Sequence, residues 1–174
     1  MLQEIINQLP EFAKDIKLNV SSIINNHSLL TEQQFAGLLL AVALTKKDKQ
    51  LIAAIKHDYA TILDEKLQNG VHAAHAIMSM TNIYYKFINM VGKENYSTIP
   101  AGLRMNILRD PGIDKIDFEL YSLAVSIVNG CEFCIKAHEA QLSKHGVAPE
   151  VIQVTAKISA IMNSLSAISE SSYS

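Results

Sequence analysis

The segment "DKIDFELYSLAVSIVNGCEFCIKAHEAQLSKHG", residues 114–146, reads as two helices joined by a sharp corner. Over residues 115–128 the apolar side chains Ile116, Leu120, Leu123, Ala124 and Ile127 fall on one stripe at 100° per residue. Phe118, Tyr121, Val125 and Val128 cover most of the remaining surface, which leaves Lys115, Glu119, Ser122 and Ser126 as a narrow polar arc. A helix apolar nearly all round is a buried helix. A carboxylate in its seam therefore needs a partner, because glutamates are almost never buried unpaired. The competing reading is that Glu119 points to solvent from an exposed arc. Asn129-Gly130 then breaks the chain, and a second helix is expected over residues 131–145. Gly146 suits the residue just past its end, and Lys144 and His145 suit the negative end of its dipole. An Asn-Gly pair also opens β-hairpins, but the spacing and the stop signal that follow are helical.

Outward from this segment the chain repeats the same grammar. Proline or glycine punctuates it at Pro10, Gly37, Gly70, Gly92, Pro100, Gly102, Pro111, Gly112, Gly130, Gly146 and Pro149. Most stretches between these are of helix length and lack strand alternation. "TEQQ", residues 31–34, has the form of a capping box. Asp48 and Asp114 are suited to N-caps, and Pro149-Glu150 to a first helical turn. The expected fold is all-α and multi-helical, in one domain over residues 1–174. A faint duplication is suggested between residues 30–90 and 114–170, where "LLAVAL" resembles "SLAVSI" and "AIM" recurs, which would make two similar helical lobes. The closing "SESSYS" is expected to fray.

Composition narrows the function classes. Formal net charge is −2 over 174 residues, so there is no basic surface for nucleic acid and no charged tail. The N-terminal stretch carries early acidic residues and no long apolar run, unlike a signal peptide. The greasiest run, "FAGLLLAVAL", is about half of what a membrane span needs. These features lead to the expectation of a soluble cytoplasmic protein. In a reducing compartment a close cysteine pair is catalytic or metal-binding rather than a structural staple.

The two cysteines of the chain are Cys131 and Cys134. On a helix they share a face with Ile135, His138 and Leu142, opposite Glu132, Lys136, Glu139 and Ser143, so both thiols and the imidazole should face inward. Cys131 falls in the first turn, where free amide N–H groups and the dipole favour a thiolate. Cys134, one turn on, is close enough for a disulfide with Cys131, and His138, a further turn on, is placed to act as base for the Cys134 proton. Cys131, nearest the loop, is expected to be the sulfur nearer solvent, with Cys134 deeper. Glu119 lies about ten residues before the corner and His138 about eight after it. With both helices rising about 1.5 Å per residue, an antiparallel pair would set them at similar height, and Glu119 could orient the imidazole.

Other assignments compete. Zinc needs about four ligands, and no second C-x-x-C supplies them. His72 and His75, spaced i, i+3, could help, but read more simply as core or surface histidines. His145 suits a dipole role at a helix end. Met78, Met80 and Met90 read as core filler. A zinc-stabilised helical interaction module is the non-enzymatic alternative.

The run "FELYSLAVSIVNGCEFCIKAHE" resembles the E…C-x-x-C-x-x-x-H active-site segment of the alkyl hydroperoxidase D (AhpD) family, in the carboxymuconolactone decarboxylase-like superfamily. "LPEFAKDIKLNVSSI", "AAHAIMSMTNIYYKF" and "GLRMNILRDPGI" resemble further AhpD segments in the same order, so the likeness covers most of the chain. The resemblance implies an all-helical homotrimer that reduces the disulfide of the peroxiredoxin AhpC and has weak peroxidase activity. It implies no bound cofactor. Re-reduction would come from the dihydrolipoyl group of an acyltransferase, fed by dihydrolipoamide dehydrogenase and NADH. By motif position Cys131 matches the proton-donating cysteine that forms the mixed disulfide with AhpC. Cys134 matches the cysteine that becomes a sulfenic acid, and Glu119 and His138 match the relay. Some relatives carry a histidine immediately before the second cysteine, where this chain has Phe133, which cannot move a proton. A non-redox decarboxylase-like enzyme on the same fold is the alternative, though such chemistry does not need two adjacent thiols.

Overall fold

The structure is a computed structural model that describes residues 1–172, with side-chain surroundings described through Ile168. Among the described residues there are nine α-helices and no strands, so the chain is all-α. They are α1 (Leu2–Asn7), α2 (Lys14–Asn25), α3 (Glu32–Lys46), α4 (Lys49–Asp58), α5 (Glu65–Val91), α6 (Glu94–Thr98), α7 (Lys115–Asn129), α8 (Glu132–Lys144) and α9 (Pro149–Ser172). The fraying expected of the last six residues falls where side chains, and for residues 173–174 the backbone too, lie outside the described residues.

Side-chain caps fix where the long helices begin. Thr31 Oγ1 accepts from the Gln34 N–H, and Gln34 Oε1 accepts from the Thr31 N–H, a complete capping box. Asp48, Asp64 and Asp114 cap α4, α5 and α7 by accepting backbone N–H groups with their carboxylates. The Asp64 cap was not singled out in the sequence.

α3 and α7 form the centre. Every residue of α3 from Phe35 to Ala43 is buried, so the greasy run is a core helix. α7 packs against α3, α5, α8 and α9. Its polar arc runs from solvent into the core: Lys115 is exposed, Glu119 partly buried, and Ser122 and Ser126 are fully buried. α9 is long and apolar enough over Pro149–Ile168 to cross a membrane by length and composition, which the sequence reading missed by looking only at the densest run. Here it buries Ile158, Ile161, Met162 and Leu165 against α2, α3 and α7. Residues 30–90 contain helices of 15, 10 and 27 residues, and residues 114–170 are spanned by helices of 15, 13 and 24.

Two glycines read as punctuation are interior helix positions. Gly37 lies mid-α3, and a Cβ there would sit 2.3 Å from Cζ of Tyr121. Gly70 lies in α5, where a Cβ would sit 2.5 Å from Cδ1 of Ile113. Glycine is used at these positions for close approach between elements. The Tyr121 ring cannot retreat, since it is fully buried and its hydroxyl donates to the Gln33 carbonyl at 3.0 Å.

Alanine ordinarily gains up to about 1 kcal/mol over glycine inside a helix, but the clash with Tyr121 should outweigh it. Gly37→Ala is expected to destabilise by about 1–3 kcal/mol, a fall of about 2–4 °C in Tm for each kcal/mol at this chain length. Thermal unfolding followed by circular dichroism checks this, and an unchanged or higher Tm would contradict the close-packed contact.

Candidate active site

α8 folds back along α7 across the Asn129-Gly130 corner, and both pack on α5. Gly130 adopts φ 65°, ψ 39°, which glycine reaches without steric cost. The next N–H, of Cys131, donates to the Ser126 carbonyl at 3.1 Å. α5 holds the corner from outside. The fully buried Asn82 amide donates to Ser126 Oγ at 3.0 Å and accepts from Asn129 Nδ2 at 2.9 Å. Lys86 Nζ donates to the Asn129 carbonyl at 2.9 Å. These contacts satisfy the buried Ser126 hydroxyl and Asn82 amide and the half-buried Asn129.

The corner delivers Cys131 as the N-cap of α8 rather than as a residue of its first turn. Its Sγ accepts from the Cys134 N–H at 3.3 Å. Cys131 and Cys134 are joined as a disulfide, with Cα atoms 5.3 Å apart. The inward face of α8 is as the spacing suggests: Cys134 and Leu142 are buried, Ile135 and His138 half-buried, and Glu132, Lys136, Glu139 and Ser143 exposed.

Glu119 and His138 meet. His138 Nδ1 and Glu119 Oε2 are 2.7 Å apart, and both side chains are largely shielded. The reading in which Glu119 points to solvent is overturned: burial of α7 leaves the carboxylate facing α8. The other ring nitrogen does not reach a cysteine. His138 Nε2 lies 3.1 Å from the Met78 sulfur.

Accessibility differs from expectation. Cys131 is 0 % exposed and Cys134 4 %. The cysteine at the helix start is thus the more deeply covered of the two. Solvent access thus gives no reason to assign Cys131 the bulkier partner. Phe133, half exposed between the cysteines, stacks on Tyr85 with ring centroids 4.9 Å apart. It helps line a cavity of about 670 Å³ with Tyr84, Tyr85, Ile88, Tyr96 and Ile99.

Met78, Asn82, Tyr85 and Lys86 were not identified as site residues from sequence. Their spacing along α5 was the available signal, since an asparagine four residues beyond Met78 in an apolar face is unusual unless something bonds it. The methionines were misread as a group. Met78 is buried beside the imidazole, whereas Met80 and Met90 are exposed. The remaining histidines lie elsewhere. Burial, and then Lys56, depress the His72 pKa, while burial, then His72 and Lys47, depress that of His75. His145 Nδ1 donates to the Gln141 carbonyl at 2.7 Å, satisfying a group at the helix end. Among the described residues no cluster of three or more His, Cys, Asp or Glu side chains could hold a metal ion.

An all-helical protein whose central helical hairpin carries a C-x-x-C disulfide, with a histidine–glutamate pair one turn on, is the class that fold and site define. The model of the Carboxymuconolactone decarboxylase family matches residues 95–171. Over 171 residues the chain is 46% identical to alkyl hydroperoxide reductase AhpD of Coxiella burnetii (strain Dugway 5J108-111), covering 97% of each chain. It is 46% identical to AhpD of Maricaulis maris (strain MCS10), covering 93% of each. Against AhpD of Hyphomonas neptunium (strain ATCC 15444) the identity is 44%, over 93% of this chain and 89% of the relative. Similarity of this extent and coverage places the chain in the AhpD family of alkyl hydroperoxide reductases.

His138→Phe is expected to slow peroxide turnover by about 10²–10⁴-fold, the usual worth of a general acid–base group. Glu119→Gln should slow it less, since it acts through the ring. Stopped-flow rates with far-UV circular dichroism on each variant check this. Wild-type speed in either would remove that residue from the chemistry, and a collapsed dichroism signal would give it a structural role instead.

Proposed function

We propose that the protein is a thiol–disulfide oxidoreductase and peroxidase of peroxide defence, working in the cytoplasm. In this reading Cys131 and Cys134 cycle between dithiol and disulfide, reducing the disulfide of the peroxiredoxin AhpC and, more weakly, hydroperoxides directly. The observation that carries it is the C-x-x-C disulfide within the same hairpin as the 2.7 Å Glu119–His138 pair. A purely structural disulfide has no need of a paired, shielded imidazole one turn away. The decarboxylase-like alternative finds no use for the two joined sulfurs.

The chemistry follows from the residues. The Cys134 thiolate attacks the terminal oxygen of a hydroperoxide, the O–O bond breaks, and the alcohol leaves with a proton supplied by the His138 imidazolium. Cys134 is left as a sulfenic acid. Cys131 then attacks Cys134 Sγ, water leaves, and the disulfide forms. Toward AhpC, Cys131 forms the mixed disulfide and Cys134 resolves it. This division rests on the resemblance of the motif. Cys131 is covered in the oxidised chain, and AhpC would meet it in the dithiol form, which is the form that donates electrons. Electrons return from a dihydrolipoyl group on an acyltransferase, recharged by dihydrolipoamide dehydrogenase and NADH. We also propose a homotrimer. α5 exposes Met80, Ile83, Phe87 and Met90, a stripe spaced three, four and three residues apart, of the kind that packs against another copy.

NADH oxidation in the presence of peroxide, AhpC, dihydrolipoamide dehydrogenase and lipoamide should depend on this protein and be lost in Cys131→Ser and Cys134→Ser. Cys134→Ser should trap AhpC on Cys131 in non-reducing gels, and Cys131→Ser should leave a dimedone-reactive Cys134 after peroxide. AhpC trapped on Cys134 would reverse the two roles. Turnover that ignores the protein would overturn the function.

A further inference from the structure

Met78 is buried, as packing methionines are, but its sulfur sits among three hydrogen-bond donors. His138 Nε2 is 3.1 Å away, the Thr81 hydroxyl 3.6 Å and the Asn82 amide 3.9 Å. Two of these have better acceptors elsewhere. Thr81 Oγ1 donates to the Ile77 carbonyl at 3.0 Å, and Asn82 Nδ2 to Ser126 Oγ at 3.0 Å. His138 Nε2 has the sulfur alone. With the Nδ1–H donating to the Glu119 carboxylate at 2.7 Å, an unprotonated Nε2 would set its lone pair against those of the sulfur. The contact is attractive when Nε2 carries a proton too. The ring is then an imidazolium held by a carboxylate at one end and a thioether at the other. A thioether is a weak acceptor, able to orient the ring and still release it.

We propose that Met78 is a positioning residue of the relay, a resting acceptor that holds the His138 Nε2 proton while the cysteines are disulfide-bonded. The inference rests on the redox reading above. In reduction, local opening first uncovers Cys131, which is fully covered in the disulfide form; the thiolate of a dithiol donor then attacks its Sγ, the S–S bond breaks, and Cys134 leaves as a thiolate. His138 turns from Met78 and passes the Nε2 proton to Cys134 Sγ. The neutral ring then takes the proton of the donor's second thiol. That sulfur closes the donor's own disulfide and releases Cys131 as a thiolate. Two electrons pass from donor to protein, and His138 ends protonated, as it began.

The full-length wild type, Met78→Leu and Met78→Gln separate this from packing. Leucine keeps the volume without the acceptor, and glutamine restores an acceptor at similar reach. Two readouts apply: ¹⁵N NMR of the His138 ring in the oxidised protein, and the rate at which dihydrolipoamide reduces the disulfide. The wild type should show both ring nitrogens protonated. Met78→Leu should shift the Nε2 signal and slow reduction about 2- to 10-fold, the range allowed by one ordinary hydrogen bond, and Met78→Gln should recover both. If the wild type is reduced readily while Met78→Leu matches it in ring signal and rate, the inference falls alone, whatever happens to thermal stability. A wild-type disulfide inert to the dithiol overturns the inference together with the functional reading.

Discussion

The corner at Asn129-Gly130 is the constraint on which the site depends. It turns α8 back along α7, and the register of that turn sets His138 beside Glu119. Within the hairpin the Cys131 N–H bond to the Ser126 carbonyl and the Glu119–His138 pair hold it. The bonds from Asn82 and Lys86 on α5 close it from outside. Ser126 and Asn82 are fully buried, and a buried polar group left open costs about 1–3 kcal/mol, so α5 does more than cover the hairpin with apolar surface. The corner also decides the state of Cys131. As an N-cap whose sulfur accepts a backbone N–H, it occupies a position that favours negative charge there whenever the disulfide opens.

Burial of α7 on every side then shapes the chemistry. A helix in this position cannot send a carboxylate into bulk water midway along its length, and Glu119 finds an imidazole instead. The same burial covers both sulfurs, which limits access to small molecules or to partners that meet the opened dithiol. Phe133, the half-exposed residue of the C-x-x-C turn, stacks on Tyr85. The residue immediately before the second cysteine is thus an aromatic ring that carries no proton, and the carboxylate of Glu132 points instead to Lys136 and Asn89.

Much of this was legible in the sequence because it is local. The Thr31 capping box, the Asp48 and Asp114 caps, the glycine stop after α8 and the shared face of Cys131, Cys134 and His138 each rest on spacings of a few residues. The Glu119–His138 pairing was also accessible, since the corner makes it nearly symmetric in sequence. What escaped was carried by distant contacts. Gly37 looks like a break until Tyr121, 84 residues later in the sequence, fills the space a Cβ would need. Met78 and Asn82 look like core until α7 and α8 bring Ser126 and His138 against them. Met80 and Met90 read as core in the sequence because helical periodicity does not reveal that one face of α5 is left uncovered. The greater burial of Cys131 is likewise hidden, as a position near a loop reads as open in the sequence.

The central claim is that the disulfide is a working redox couple rather than a staple. Equilibrating the protein in graded lipoamide–dihydrolipoamide mixtures and counting free thiols tests this most directly. One two-electron transition is expected in which both thiols appear together, with a midpoint between about −120 and −270 mV, the span of catalytic dithiols. A pair that stays oxidised until potentials below about −300 mV, where structural disulfides lie, would contradict it.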